Sequence, residues 1–384
     1  MSLALFHSVT RTKFIRVTAL VGAGGCGLRT ILGSESPDRR LPDSPEALLG
    51  TLVHRAIDAR GQEGSEAVTE HLLEALRGPS GVYQSDASAS GEFRLVEIVG
   101  ASRISSKLAA ARRITEAIAM RPKGARRGDR STATSQHGHP RRSGDWSEEP
   151  MNSTELQLGG RLDLLRVTRD ECLMVDFKTG RALDGEGSLK EPYADQLHLY
   201  ALLGRACGYT LPIRMEIVAA DGRFRVPESI LRTSRLSSEL KALVDATPIG
   251  IESNSRELAR FSAHCATCHF RAWCGNYLES APTSWATDSP GVEVPFDTWG
   301  NIESIRPTAA EGAFSSVVLR DAADRLVSVT GVPTRHLKSL SPRMRAGFFG
   351  LRPKTTGRGH PQNFVLADPG NPNATAHAAR VLAM

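Results

Sequence analysis

Leu158-Gly-Gly160-Arg-Leu-Asp163-Leu-Leu-Arg-Val167 is followed, after the polar turn Thr168-Arg-Asp170, by Glu171-Cys-Leu-Met-Val175-Asp-Phe-Lys178-Thr-Gly180. Both runs have strand composition, and the turn residues between them deliver the chain from the first to the second. Side chains alternate across a strand, so Asp176 and Lys178 face one side while Val175 and Phe177 face the other. Asp163 stands on the first run. Two carboxylates and a lysine suit a divalent metal held by hard oxygen ligands, beside a cation that orients a water or offsets charge on a developing phosphorane. A surface hairpin with one salt bridge uses the same residues, and an Asp-x-Lys triplet alone does not separate the two readings.

The next segment narrows the choice. Tyr193-Ala-Asp-Gln196-Leu-His-Leu-Tyr200-Ala-Leu-Leu203 is a helix pattern in which Gln196 and Tyr200, four apart, share a face that can look at the lysine strand. Together, Gly160-Arg-Leu-Asp163, Val175-Asp-Phe-Lys178-Thr-Gly180 and Gln196-x-x-x-Tyr200 resemble the PD-(D/E)xK nuclease superfamily. Within it they resemble the branch of RecB-type nucleases and CRISPR-associated exonucleases. The resemblance implies a restriction-endonuclease-like α/β core, a mixed central sheet flanked by helices. It implies catalytic roles for Asp163, Asp176, Lys178, Gln196 and Tyr200, with Lys178 orienting the attacking water and Gln196 and Tyr200 positioning the lysine strand or the DNA.

Upstream, Ser44-Pro-Glu-Ala-Leu48-Leu-Gly50-Thr-Leu52-Val-His54-Arg-Ala-Ile57 begins with a serine N-cap and a proline at the first helical position, and carries an apolar stripe through Leu48, Leu52 and Ile57. A histidine on such a helix is by itself a packing residue as readily as a ligand. Gly50-x-x-x-His54, however, resembles the RecB-type motif that supplies an imidazole to the catalytic metal. The implied metal set is His54, Asp163, Asp176 and the Phe177 carbonyl, holding one or two Mg²⁺ or Mn²⁺ ions. Helical patterning continues over residues 65–120, including 102–119, with a Gly/Ser-rich break at 78–91. The expectation is a helical insertion, about residues 44–120, that roofs the active site.

Earlier still, Gly22-Ala-Gly24-Gly25-Cys26-Gly27 is a formal G-x-G-x-x-G behind an apolar run, residues 14–21, that reads as a strand. A dinucleotide-binding domain also needs a second strand ending in Asp or Glu about 20 residues on. The sequence there, Ser34-Glu-Ser-Pro-Asp-Arg-Arg-Leu-Pro-Asp43, is loop.

Cys265-x-x-Cys268 and Cys274 lie downstream of these motifs. In a chain without secretory features, clustered cysteines imply metal rather than disulfides. Cys26-Gly-Leu-Arg29 with the C-x2-C-x5-C group resembles the [4Fe-4S] arrangement of CRISPR-associated and AddB-like nucleases, in which an early cysteine closes the cluster. Zinc is the competing cofactor, since sites of four cysteines, or of three with a histidine, look similar and His264 and His269 are adjacent. Cys172 and Cys207 read as buried packing residues.

The whole chain of 384 residues is long enough for two domains or three, and its 40% hydrophobic content is ample for real cores. No apolar run reaches the length of a membrane span, and residues 14–21 are too short for a secretory segment, so a cytoplasmic protein is expected. Its 48 basic and 42 acidic residues give +6, which permits DNA as a partner without demanding it. Residues 121–142 hold seven basic residues against one acidic among Gly, Ser, Thr and Pro, and read as a mobile loop, about 121–145, able to hold a DNA backbone.

Residues 1–280 are therefore expected to form the nuclease domain, 281–291 a linker, and 292–384 a β domain. Within 292–384 a strand, a hairpin turning at Asp321-Ala-Ala-Asp324, a short helix and a further pair of strands resemble an OB-like small β-barrel, a fold that often binds single strands. There is no G-x-x-x-x-G-K-[ST], so a helicase motor would come from a partner subunit of a repair or defence assembly. Two other classes remain open at this point: a non-catalytic single-stranded-DNA-binding module, and a zinc-stabilised scaffold protein.

Overall fold

The computed structural model describes residues 5–119 except 62, 144–281, 296–308, 313–322, 324–354, 363–368 and 375–384. The Arg-rich segment 121–142 and nearly all of the linker 281–291 lie outside the described residues. At the start, β1 (Ser8–Thr10) and β2 (Ile15–Arg16) precede α1 (Val17–Gly22) and α2 (Gly27–Glu35). The strand expected over residues 14–21 is therefore only two residues long and turns at once into helix. A short apolar run carries too little periodicity to tell a buried helix from a buried strand. Gly24 and Gly25, at φ 57° and 78°, make the turn into α2. A Cβ on Gly24 would lie 2.4 Å from the His264 ring, so this glycine is needed for close packing and not for a pyrophosphate.

The helical layer follows as α3 (Pro45–Arg60) and α4 (Ser65–Arg77), the hairpin of β3 (Val82–Gln84) and β4 (Glu92–Arg94), then α5 (Leu95–Val99) and α6 (Ala101–Ala119). Ser44 caps α3 as expected, its Oγ accepting from the Ala47 amide at 3.1 Å. The stripe that α3 buries is Leu49, Leu52, Val53, Ala56 and Ile57, with Leu48 only half-buried at its margin. That stripe packs on Leu164, Leu173, Val175, Phe177 and Val218 of the sheet. The region expected as a roof is thus a layer laid against one face of the central strands β6, β7 and β8.

The sheet itself is β5 (Gly144–Ser153), β6 (Leu158–Val167), β7 (Cys172–Lys178), β8 (Ile213–Ala219) and β9 (Gly222–Val226), with α7 (Glu191–Ala206) between β7 and β8 and α8 (Ile230–Ala246) after β9. Its order is β2-β6-β7-β8-β9, and β5 pairs with β6. The β7–β8 pair is parallel and the β5–β6, β6–β7 and β8–β9 pairs are antiparallel. β7 lies at the centre and is covered on both faces, which is why it reads as a nearly unbroken apolar run. Cys172, Met174, Met215 and Ile217 pack on the second face against α7 and α8. A mixed sheet between two helical layers fits a restriction-endonuclease-like core. No helix among the described residues is long and apolar enough to cross a membrane.

β10 (Glu252–Asn254) pairs with β1 and so ties the two ends of this domain, followed by α9 (Ser255–Leu258), the cysteine loop and α10 (Gly275–Ser280). The C-terminal region holds β11 (Phe296–Pro307), β12 (Phe314–Arg320), β13 (Leu326–Pro333), α11 (Thr334–Leu337), β14 (Arg345–Pro353), β15 (Asn363–Val365) and β16 (Arg380–Ala383). The expected hairpin, short helix and later strands are present. β11 is longer than its apolar core suggests, and β16 was not anticipated. Pairings run β11-β12-β13-β15-β14, and β14 also pairs with β11, so the strand order returns to its start. Two register shifts in β11, at Phe296/Thr298 against β14 and at Ile302/Ser304 against β12, let one strand serve both neighbours.

This sheet is joined to the nuclease-like core at two places. Arg271 and Asp297, both buried, pair at 2.6 Å while Tyr277 and the Gly350 amide also donate to Asp297. On the helical layer, Asp86 accepts from the Val381 amide at 2.6 Å and the Ser85 carbonyl from Arg335.

Candidate active site and cysteine pocket

β6 and β7 pair from Val167↔Cys172 to Leu164↔Val175 and no further, whereas β7 stays paired with β8 as far as Lys178↔Ala219. The two central strands therefore separate at the next register position, where Asp163 stands opposite Asp176. Asp163 Oδ2 accepts from the Phe177 amide at 2.5 Å, which satisfies the donor that the fork would leave open. On the α7 side, Lys178 Nζ lies 2.7 Å from Asp176 Oδ2 and donates to Gln196 Oε1 at 2.9 Å, and Gln196 Nε2 donates to Asp176 Oδ1 at 2.7 Å. The Tyr193 ring sits 4.9 Å from the same ammonium, a cation–π contact. Three side chains thus fix Lys178.

His54 and Asp58, four apart on α3, line an open cleft of about 350 Å³ together with Glu148, Asp163 and Phe177. Burial pushes the Asp163 carboxyl up, and Asp176 pushes it further, against the pull of the Phe177 amide and Lys178. Burial also raises Asp176, with Lys178 opposing. Burial would lower Lys178, but Asp176 outweighs it and the ammonium is held charged. His54 is lowered to about 4, by burial first and then by Lys178 and Lys107, so near neutral pH its imidazole carries no proton on one nitrogen. Buried carboxylates raised in this way mark negative charge that a divalent ion would offset, and a neutral imidazole beside them is a competent donor. Among the described residues no three His, Cys, Asp or Glu side chains close to ion-holding distance. Asp176 is turned to Lys178 and Gln196, and Asp163 to Phe177. The donor set fits a hard divalent ion in kind and in location, and its carboxylates would turn toward it.

The structure places the residues expected from sequence in two groups. His54, Asp163 and Phe177 share the cleft, and Asp176, Lys178 and Gln196 form the hydrogen-bonded set behind it. Tyr200 bridges the two: its hydroxyl donates to the Arg161 carbonyl at 2.6 Å and also bonds to Gln196, so it ties the Asp163 strand to the set that holds Lys178. Gly160 makes room for that ring, since a Cβ there would lie 2.8 Å from Tyr200 Cε1.

Sequence reasoning missed Asp58, Glu148 and Tyr193. The spacing His54-x-x-x-Asp58 was available as a signal. Glu148 was not separable from Glu149 in sequence; in the structure it occupies the strand position across from Asp163 with φ 51°, a conformation strained for a non-glycine residue. Burial and then Asp58 raise its carboxyl.

Cys26, at the N-cap of α2, and Cys265, Cys268 and Cys274 line a second, partly open pocket. Burial raises the thiols of Cys265, Cys268 and Cys274, Cys268 to about 11. Backbone amides oppose it: Ser262 at Cys265, Phe270 at Cys268, and Tyr277 and Asn276 at Cys274. Arg29 holds the loop by donating to the His264 carbonyl at 2.9 Å. Amides aimed at sulfur, with an arginine beside them, are what a bound thiolate requires. Neither His264 nor His269 lines this cavity; His269 is turned to the Leu41 carbonyl and Asp43. Cys172 and Cys207 are buried away from it in the core, as expected.

Compared with known proteins, residues 26–275 match the family model described as the PD-(D/E)XK nuclease superfamily. No curated protein matches the chain.

Proposed function

Because the chain belongs to the PD-(D/E)XK nuclease superfamily, we propose that it is a metal-dependent deoxyribonuclease of the RecB-like branch, acting as an exonuclease in DNA repair, recombination or defence. The observation that carries this reading is the fork, where Asp163, lining the cleft with His54, stands opposite Asp176 beside a fixed Lys178. His54, Asp163, Asp176 and the Phe177 carbonyl would hold Mg²⁺ or Mn²⁺. Such an ion supplies Lewis-acid stabilisation of the phosphoryl oxygens and makes a water more acidic.

The chain's own groups do the rest. Lys178, charged and held by Asp176, Gln196 and Tyr193, presents a fixed cation to the scissile phosphate and orients the attacking water. Water adds its oxygen to phosphorus, the P–O bond to the leaving nucleotide breaks, and the water's proton passes to solvent or to the leaving oxygen. Gln196 keeps the lysine from folding wholly onto Asp176, and Tyr200 keeps the Asp163 strand in register at the fork. With Mg²⁺ or Mn²⁺ supplied, the protein is expected to degrade single-stranded or end-bearing DNA. Wild-type protein inert on every DNA form with both ions overturns the reading in favour of a binding module.

We propose further that Cys26, Cys265, Cys268 and Cys274 bind a [4Fe-4S] cluster, one thiolate to each iron. The four thiols surround a cavity and do not close on a single point, whereas one zinc at about 2.3 Å from each sulfur would draw them together. The return of the C-terminal strand order to β11, with β13 and β15 parallel, supports the OB-like reading of residues 292–384 as a single-strand-binding domain. A cytoplasmic location accords with thiols kept free for a metal cluster.

A further inference from the structure

One run of cations near the fork has no role in the chemistry of Lys178 and its metal. On α6, Lys107 Nζ donates to the Thr179 carbonyl at 2.9 Å and to Thr179 Oγ1 at 2.8 Å, and Thr179 directly follows Lys178. Six residues on, Arg113 Nη1 donates to the Ala220 carbonyl, just beyond the end of β8. β7 and β8 are parallel neighbours at the centre of the sheet. α6 therefore carries two anchored cations to the carboxyl ends of the two central strands, beside the position of Lys178. An ammonium has three donors and a guanidinium five, so each side chain keeps donors beyond those that anchor it.

The surroundings of Lys107 are mixed in charge but not neutralised. Arg103 stands one turn earlier on α6, and Glu46 of α3 is the acidic group whose field reaches Lys107. Lys107 holds Thr179 on the side of the sheet where α3, the helix of His54, packs. Gly50 of α3 leaves the space that Thr179 occupies, since a Cβ there would lie 3.2 Å from Thr179 Oγ1.

We propose that Lys107 and Arg113 form the contact for the sugar-phosphate backbone of the substrate strand next to the scissile bond. This rests on the nuclease reading and names the surface that holds its substrate. Backbone contacts of this kind carry no sequence information but fix the position of the strand, so Lys107 and Arg113 set how far along it Lys178 acts.

The test is the salt dependence of binding by the full chain to labelled DNA, single-stranded and duplex, with metal withheld by chelator so that nothing is cut. Lys107→Gln and Arg113→Gln are each expected to lower the slope of log affinity against log salt by about 0.7 to 0.9, and the double variant by about twice that. Lys107→Arg, which keeps the charge, is expected to keep the wild-type slope. Lys241→Gln is the control, since α8 packs on the opposite sheet face and Lys241 pairs there with Asp245. A lowered thermal midpoint with an unchanged slope in the double variant, while the wild type binds and cuts DNA, assigns Lys107 and Arg113 to strand capping and overturns the proposal alone. A wild type that neither binds nor cuts DNA overturns the nuclease reading and this proposal with it.

Discussion

The fork and the cysteine pocket are both built from ligand-type side chains, yet they are held in opposite ways. At the fork the charged groups partner one another, Asp176 with Lys178 and Gln196 and Asp163 with the Phe177 amide, while Asp176 Oδ2 keeps only the ion pair to Lys178 and no hydrogen bond. They sit on strands whose register is fixed by a large apolar core on both faces. At the cysteine pocket the loop is a pair of short 3-10 turns, and its sulfurs line an open space with backbone amides, the Leu258 and Arg260 carbonyls and the Ser262 hydroxyl as partners. The fork is therefore assembled by the fold itself, and on the proposed function a metal would merely occupy it. On the proposed function, the pocket is one in which the bound group would be part of what holds the fold.

Substitutions at the fork sharpen that contrast most. Lys178→Ala removes a fixed cation aimed at developing charge, and a loss of about a hundredfold to a thousandfold in cleavage rate is expected. Circular dichroism is expected to stay near wild type and the thermal midpoint to fall only in part, because Asp176 loses its buried counter-charge but keeps Gln196 as a partner. A matching collapse of the midpoint would show that the fork does not stand on its own.

Substitution at the pocket should do the reverse. Anaerobically purified protein is expected to be brown with about four irons per chain. Cys26→Ala, Cys265→Ala, Cys268→Ala or Cys274→Ala should each lower iron content and solubility, whereas Cys172→Ala and Cys207→Ala should leave the colour unchanged. Colourless protein with one stoichiometric zinc would replace the cluster by a zinc site. Full iron occupancy in Cys26→Ala would remove that residue from the set.

The pH dependence of the metal-free protein gives a smaller and directional effect. His54 is lowered in the folded state to about 4 from 6.5. The unfolded chain therefore binds a proton that the folded chain refuses, and stability is lost as pH falls through 6.5 toward 4. At 1.36 kcal/mol per pH unit the loss approaches about 3 kcal/mol. His54→Asn should remove it, so the stability difference between variant and wild type should shift in the variant's favour between pH 7 and pH 4. A constant difference across that range would mean that His54 is not buried as described.

Much of the fork was legible in the sequence because its signals are local. Ser44-Pro45 caps α3 and places His54, alternation puts Asp176 and Lys178 on one face, and the i,i+4 spacing aims Gln196 at them. What was not legible depends on contacts between distant segments. The i,i+4 spacing set Tyr200 beside Gln196, but its bond to the Arg161 carbonyl of the Asp163 strand depends on the packing of α7 over Gly160. Glu148 enters the cleft through a left-handed backbone that no propensity announces. The return of β14 to β11 rests on two register shifts inside one strand, which alternation alone does not show. Residues 14–21 failed for a simpler reason, since an eight-residue apolar run fits either state. Tyr200→Phe is the smallest effect expected: one hydrogen bond, about 1 kcal/mol of stability, with cleavage rate little changed. A large rate loss there would return Tyr200 to the reacting groups.

The central claim is that the fork, assembled by its own hydrogen bonds, is a divalent-metal site. Calorimetric titration of Mn²⁺ into chelator-treated protein tests it without relying on cleavage. Wild-type protein is expected to bind one or two ions per chain, and Asp163→Asn to weaken that binding at least about tenfold while keeping its thermal midpoint. Equal Mn²⁺ binding by the two proteins, or none by the wild type, would contradict the account.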